Sequence, residues 1–276
     1  MKIKLSQAVC NGTDESDAQP LLTLELDSQP SIEALGLSLA NGKVVPKELP
    51  MPLQTIATAL QRPLRCATDK LSAFELVVDA TNGFVPLWEK GTKLRWRFDE
   101  ASVDRQPDPK GTRTLVRCLL RDAMREWGDA APVQIVESDA VHDFTVAVRK
   151  RNDCDEAGCT LASAFFPTKR REEMLIYPFL LSQTLKEQVA TLVHELGHVF
   201  GLRHYFANIS ETDSPSAVFG VHRKFTIMNY GAASVLTDED RKDLKRLYEA
   251  AWGGQLTKIN GIPVRFVKAY HATHAL

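Results

Sequence analysis

The chain has 276 residues, of which 44% are hydrophobic, and a formal net charge of −1 at pH 7. This length and composition predict a globular protein with one substantial core and a smaller appendage. The balanced charge argues against a nucleic-acid-binding or anionic-membrane-binding protein. The longest apolar stretch, 174–181, contains a proline and is too short to cross a bilayer.

Residues 1–88 are predicted to form a loop-rich N-terminal region, either a small accessory domain or a propeptide. Prolines interrupt its short apolar runs at Pro20, Pro30, Pro46, Pro50, Pro52, Pro63 and Pro86. Residues 1–11 carry basic side chains without an apolar block behind them, so no classical signal peptide is visible. The compartment stays open between the cytosol, export by another route, and a leader that has been removed.

Residues 89–252 carry clear secondary-structure patterns and are predicted to form an α+β domain. In chain order we predict a strand at 92–98, a helix at 112–127, strands at 133–136, 144–148, 161–166 and 174–177, and a last helix capped by Thr237 and ending at Trp252. Residues 253–276 are predicted to be a short tail with one strand at 264–267.

The chain has 5 cysteines, so at least one is unpaired in any intramolecular scheme. Cys154 and Cys159 bracket a turn-like sequence and form either a local disulfide or two free thiols. Cys118 lies on the apolar side of the helix at 112–127 and is predicted to be a small core residue.

The most informative segment is 194–204, which reads HELGHVFGLRH. His194 and His198 are four residues apart, so a helix places both rings on one face, and Glu195 projects from the same turn. Gly201 can take the left-handed conformation that ends a helix and brings His204 to the other two histidines. Three neutral imidazoles would hold zinc and leave its fourth position open, as a catalytic site requires.

The surrounding sequence supports the helix. Thr184 and Glu187 have the spacing of a capping box. An apolar stripe at helical spacing follows, made of Leu185, Val189, Leu192, Val193, Leu196, Val199 and Phe200.

The extended motif, followed by Met228 in the sequence IMNY, resembles the metzincin clan of zinc peptidases over residues 90–251. The resemblance implies an α+β fold with a twisted mixed sheet and an antiparallel edge strand. It also implies a long first helix, the motif helix, and a smaller C-terminal subdomain with a methionine turn and a last helix.

The same resemblance implies roles for individual residues. His194, His198 and His204 would be the ligands of one catalytic Zn²⁺, and Glu195 would be the general base. Met228 would form the hydrophobic floor of the site. Tyr230, placed as in serralysin-like and astacin-like members, would help to stabilise the oxyanion or, alternatively, anchor the turn as a buried ring.

One position and one spacing differ from the common patterns of the clan and leave the subfamily open: the residue after the third histidine, and the gap from His204 to Met228, which is longer than in the shorter matrixin catalytic domains. Tyr205, directly after the third histidine, matches none of the common subfamily markers.

Cys66 resembles the propeptide cysteine of matrixins, whose thiolate occupies the open zinc position, although the expected glycine and proline are missing after it. It is either a candidate inhibitory thiol or an ordinary linker cysteine, and Cys66→Ser should raise basal activity in the first case.

The function predicted from these features is that of a zinc endopeptidase acting on a peptide or protein substrate, with a monomer favoured. Alternatives are a zinc-binding scaffold without catalysis, and a zinc amidase acting on a non-peptide substrate. The strand at 161–166 is expected either to pair with extended substrate, as in the clan, or to serve only core packing. Activity should fall below about pH 6, because the ligands must be neutral imidazoles.

The remaining histidines are weaker candidates. His271 and His274 are expected to be solvated in the tail, and His222 lies on the loop that would border the substrate pocket. His142 and Asp143 resemble half of a structural metal site without evident partners, so neither a second zinc nor calcium is predicted.

Overall fold

The computed structural model describes residues 76–156, 158–204, 215–219, 226–229 and 234–274, together with the backbone of three short strands nearer the N-terminus. The strands are β1 (Leu37–Ala40), β2 (Lys43–Pro46), β3 (Leu64–Arg65), β4 (Leu76–Asp79), β5 (Val85–Trp88), β6 (Lys93–Phe98), β7 (Gln134–Glu137), β8 (Phe144–Val148), β9 (Asp153–Asp155), β10 (Gly158–Thr160), β11 (Ala162–Ser163), β12 (Glu172–Ile176), β13 (Ser216–Phe219), β14 (Lys258–Ile259) and β15 (Ile262–Val267). The α-helices are α1 (Glu100–Val103), α2 (Pro109–Trp127), α3 (Pro178–Leu181), α4 (Leu185–Val199), α5 (Asp238–Trp252) and α6 (Tyr270–Thr273).

The central element is a five-stranded mixed sheet with the strand order β11-β12-β8-β6-β7. Strands β12, β8, β6 and β7 are parallel, and β11 pairs antiparallel with β12 at one edge. The predicted α+β fold with an antiparallel edge strand is therefore confirmed. The described strands belong to two compact units, with the β1–β2 hairpin in residues 9–62 and the five-stranded sheet in the larger unit.

Helices α2 and α4 pack together with one face of this sheet in a single hydrophobic core. In β6, successive side chains point to opposite faces of the sheet. Leu94, Trp96 and Phe98 are therefore buried in the core, and the basic residues between them are not. The indole of Trp127 in α2 donates from Nε1 to the carbonyl of Val193 in α4, 2.9 Å away. Each fully buried aliphatic side chain in this core contributes about 1.5–3 kcal/mol relative to exposure.

Several predicted boundaries differ from the structure for identifiable reasons. Helix α2 begins three residues earlier than predicted, because the Asp108 side chain caps it by accepting from the backbone N–H of Gly111 and Pro109 occupies its first position. The strand predicted at 161–166 is reduced to two residues in β11. Phe165 instead turns into the core against Phe144, with ring centroids 5.2 Å apart.

Strands β4 and β5, in the region predicted to be loop-rich, pair with strands from much later in the chain. Strand β4 is antiparallel to β13, and β5 is parallel to β15. The tail therefore contributes its predicted strand to a sheet with 85–88. In the part of the chain that the structure describes, no helix is both long and apolar enough to cross a membrane.

Candidate metal centre

The motif helix α4 has a well-defined beginning. The backbone N–H of Glu187 donates to the Thr184 hydroxyl oxygen, and the Glu187 carboxylate accepts from the backbone N–H of Thr184 at 2.9 Å. The predicted capping box is thus present. The hydroxyl and backbone donors of Thr184 lower the pKa of Glu187.

The three motif histidines converge on one buried point. The ring centroids of His198 lie 4.8 Å from those of His194 and of His204, and the remaining pair is 5.2 Å apart. All three side chains are buried, and their possible ligand atoms lie within 4.8 Å of one another. Among the described residues, this is the group that brings three potential metal ligands together.

Two backbone carbonyls fix the tautomers of the first two rings. His194 Nδ1 lies 2.7 Å from the carbonyl oxygen of Ile227, and His198 Nδ1 lies 2.8 Å from that of Leu202. Because a carbonyl oxygen only accepts, each Nδ1 carries a proton and each Nε2 presents a lone pair. The two Nε2 atoms are 3.1 Å apart.

Two lone pairs facing each other repel unless a cation lies between them. Tetrahedral zinc with Zn–N bonds of about 2.0–2.1 Å would place two ligand nitrogens about 3.3–3.4 Å apart. The observed separation of 3.1 Å is close to that value. The donor set therefore fits a zinc ion.

Burial keeps the rings of His194 and His198 in the neutral form that binds a metal. It lowers the pKa of His194 to about 4, against a smaller opposing effect of the hydrogen bond to Ile227. Burial likewise lowers the pKa of His198 well below its ordinary value, and the nearby charges of His194 and Arg203 act in the same direction.

The turn after α4 delivers His204. Gly201 has a φ of +91°, and the backbone N–H groups of Gly201 and Leu202 donate to the carbonyls of His198 and Gly197 at 2.8 and 2.9 Å. This is the Schellman arrangement that reverses a chain at a helix end. A Cβ on Gly201 would lie 3.3 Å from the carbonyl oxygen of Pro86, which leaves little space for a side chain.

Strand β4 holds this turn from the other side, a contact that the sequence patterns did not reveal. The backbone N–H of Arg203 donates to the Val77 carbonyl at 2.7 Å, and that of Asp79 donates to the Gly201 carbonyl at 3.0 Å. Val78 and Leu202 form a β-bridge between these two bonds. The short apolar run at 76–78 is the only signal in the sequence, and its partner lies more than 120 residues away.

Glu195 is part of α4, and Met228 lies against this helix. Glu195 is fully buried directly after His194. Met228 is also buried, and a Cβ added to Gly197 of α4 would lie 2.4 Å from its sulfur. The methionine therefore packs directly against the helix between the positions of His194 and His198.

The turn that carries Met228 is tied to the start of α5. Its Asn229 N–H donates to the Thr226 carbonyl at 3.1 Å, and the Thr226 hydroxyl donates to the Asp240 carboxylate at 2.6 Å. Asp240 also completes a capping box by accepting from the backbone N–H of Thr237 at 2.9 Å.

The structure corrects the prediction that His271 is solvated. Its side chain is only 16% exposed, and its Nδ1 lies 2.8 Å from the Asp143 carboxylate. Asp143 also accepts from the backbone N–H groups of His271 and Arg95. Asp143 thus fastens the C-terminal segment to β6, while His274 is exposed and stacks on Tyr270.

The neighbouring His142 is buried, and its pKa is lowered by that burial and then by the charges of Arg97 and Arg171. Tyr230, Cys66, Tyr205 and His222 lie outside the described residues.

The structure describes the bonding of three of the five cysteines. Cys154 and Cys159 form a disulfide that closes the β9–β10 hairpin. The prediction that Cys118 is an ordinary core residue is wrong, since it is half-buried and disulfide-bonded, with its partner outside the described residues.

Comparison with known proteins gives relatives of modest similarity. No family model matches the chain. Stromelysin-3 of Rattus norvegicus is 28% identical over 146 residues, and stromelysin-3 of Mus musculus is 27% identical over 201 residues. These alignments cover 49% and 68% of this chain, but only 27% and 37% of the relatives, so the chain matches well under half of their length.

Two solved structures of myroilysin are similar to this one, with TM-scores of 0.44 and 0.41 and sequence identities of 16% and 18%. They cover 68% and 59% of this chain, which in turn covers 90% and 85% of theirs. The similarity to stromelysin-3, together with an extended motif whose three histidines converge beside a buried methionine, supports a metzincin-clan metallopeptidase.

Proposed function

We propose that the chain is a zinc-dependent endopeptidase, with His194, His198 and His204 as zinc ligands and Glu195 as general base. The convergence of two Nε2 lone pairs at 3.1 Å, in rings whose Nδ1 atoms are engaged by carbonyls, is the observation that carries the proposal. Three neutral imidazoles leave one of four zinc positions for water or substrate. The similarity to stromelysin-3 supports a peptidase rather than another zinc protein.

Zinc, when bound, supplies Lewis acidity, which polarises a carbonyl and lowers the pKa of water. The buried Glu195 carboxylate, one residue after His194, accepts the proton of the attacking water and returns it to the leaving amine nitrogen. Met228 provides the apolar floor beneath α4. Tyr230, two residues later, is proposed to donate a hydrogen bond to the oxyanion.

An extended peptide is the proposed substrate because the edge of the sheet lies close to the histidines. Strand β11 is the antiparallel edge strand, and Phe166, three residues after it, packs its ring against His198 at 5.6 Å in a T-shaped contact. A peptide that pairs with β11 would therefore pass beside the ligand rings.

The division into an N-terminal region at 1–88, a catalytic domain at 89–252 and a tail at 253–276 stays a prediction. So does the inhibitory role of the Cys66 thiol.

The test is cleavage of a denatured protein such as casein by the zinc-loaded chain. Glu195→Gln should retain one zinc per chain and lose cleavage by about 10²–10⁴-fold, because it removes the proton acceptor but none of the ligands. The matched control is Glu156→Gln, a change of an exposed carboxylate that should leave the rate unchanged. A wild type that binds zinc stoichiometrically without cleaving peptide bonds would refute the endopeptidase assignment and favour a scaffold or an amidase.

A further inference from the structure

The last four carbonyl groups of α4 and its cap do not all find partners in the local backbone. An α-helix leaves its final four carbonyls without intrahelical donors. Those of Gly197 and His198 accept from the turn that follows. Those of Val199 and Phe200 accept from none of the backbone N–H groups of this turn that the structure describes, and both residues are fully buried. Water cannot readily serve these two oxygens, so their donors must come from other parts of the fold.

Two aromatic side chains supply these donors. Trp88, at the end of β5, donates from its indole Nε1 to the Val199 carbonyl at 2.7 Å. Tyr248, in the middle of α5, donates its hydroxyl proton to the Phe200 carbonyl at 3.0 Å. Both side chains are 1% exposed. All four terminal carbonyls of the helix are therefore satisfied, two locally and two by long-range contacts.

The direction of the Tyr248 hydrogen bond is fixed by its neighbours. The backbone N–H of Trp88 points to the Tyr248 oxygen at 3.4 Å and can only donate. The Phe200 carbonyl can only accept, so the hydroxyl proton must lie toward Phe200. Trp252, one turn further along α5, donates from Nε1 to the Trp88 carbonyl at 2.9 Å and completes the link.

These contacts bear on the metal centre because of where the two carbonyls lie. Phe200 is the cap residue between His198 and Gly201, and the chain reaches His204 four residues later. A rotation of the peptide after Phe200 would shift the Leu202 carbonyl, which orients His198, together with the His204 ring. The hydroxyl of Tyr248 and the indole of Trp88 oppose that rotation.

We propose that Tyr248 and Trp88 are positioning residues for the metal centre, holding the Val199 and Phe200 carbonyls so that His204 meets the rings of His194 and His198. This inference rests on the proposed zinc site and extends it to two side chains outside the motif. The hydroxyl of Tyr248 and the indole N–H of Trp88 both donate to backbone carbonyls at the end of α4, so each residue acts on the ligand rings through this helix end.

Tyr248→Phe is the sharpest test, because it keeps the buried ring and removes one oxygen atom. The zinc dissociation constant of the full chain should rise by about tenfold, in the range found when groups that orient metal ligands are removed. It is measured by competition with a chromophoric chelator, which needs no peptide cleavage. Tyr270→Phe, a hydroxyl deletion on the half-exposed C-terminal helix, is the matched control and should bind zinc like the wild type.

A purely structural role gives a different result. In that case Tyr248→Phe lowers the unfolding temperature of the metal-free and zinc-loaded forms equally and leaves the zinc dissociation constant within twofold of the wild type. That outcome overturns the inference while leaving the proposed peptidase intact, whereas a wild type without zinc affinity refutes the proposed function itself. Should Tyr248→Phe not fold, Trp88→Phe, which removes the other donor, is subject to the same criterion.

Discussion

Acidification should destabilise the metal-free protein through the buried histidines. His194 has a pKa of about 4 in the fold, against an ordinary value of 6.5, because burial disfavours the charged ring. The unfolded chain therefore takes up the proton first as the pH falls below about 6.5, and the stability contributed by the neutral ring is lost progressively down to about pH 4. From these two pKa values of His194, the free energy of unfolding at pH 5 is about 2 kcal/mol lower than at neutral pH. The lowered pKa of His198 reduces the free energy of unfolding further in the same direction.

The assay is urea unfolding of the chelator-treated protein at pH 7.5, 6 and 5, with the free energy of unfolding extrapolated to water. His194→Gln should flatten the pH dependence in this range, whatever its effect on stability at pH 7.5. His274→Gln, which changes an exposed imidazole, should retain the wild-type dependence. A wild type and a His194→Gln variant with parallel pH profiles would refute the assignment of the loss to this ring.

Three further outcomes follow from the contacts around α4. Gly197→Ala places a methyl group 2.4 Å from the Met228 sulfur, so overpacking of about 1–3 kcal/mol should outweigh the gain of about 1 kcal/mol in helix propensity; unchanged urea stability would show that the methionine moves aside freely. Asp240→Asn removes a carboxylate that accepts from Thr226 and Thr237, so it should lower the free energy of unfolding by about 1–2 kcal/mol and weaken zinc binding. Reduced stability with unchanged zinc binding would show that Asp240 caps α5 without positioning the methionine turn. Zinc at about a thousandfold excess over its dissociation constant should raise the free energy of unfolding by about 4 kcal/mol, and an unchanged thermal midpoint would contradict a preformed site.

The local features of the site could be read from the sequence because the interactions that produce them are local. The capping box of Thr184 and Glu187, the helical spacing of His194 and His198, and the need for glycine at position 201 each involve residues within a few positions of one another. The same holds for α5, whose predicted cap at Thr237 is present and whose end at Trp252 is as expected. Local chemistry fixes these elements wherever the rest of the chain lies.

The features that sequence reasoning missed are those whose partners are distant. Strand β4 has a run of only three apolar residues, which any loop could contain, and only its ladder with 216–219 identifies it as a strand. His271 has no local signal for burial, since its partner Asp143 is 128 positions away. Periodicity reports which face of a segment is apolar, but it carries no information on which distant segment will cover that face.

The geometry of the metal centre therefore depends both on the local motif and on contacts with distant segments of the chain. The motif provides the three rings and the carboxylate, but their orientation comes from elsewhere: the Ile227 carbonyl turns His194, and the Leu202 carbonyl turns His198. Leu202 is itself held by β4, and the helix end before it is held by β5 and α5. Another chain with the same eleven-residue motif but without these distant contacts would have the ligands and lack their geometry. Substitutions at β4, Trp88 or Tyr248 should accordingly reduce metal affinity, although none of these positions belongs to the motif.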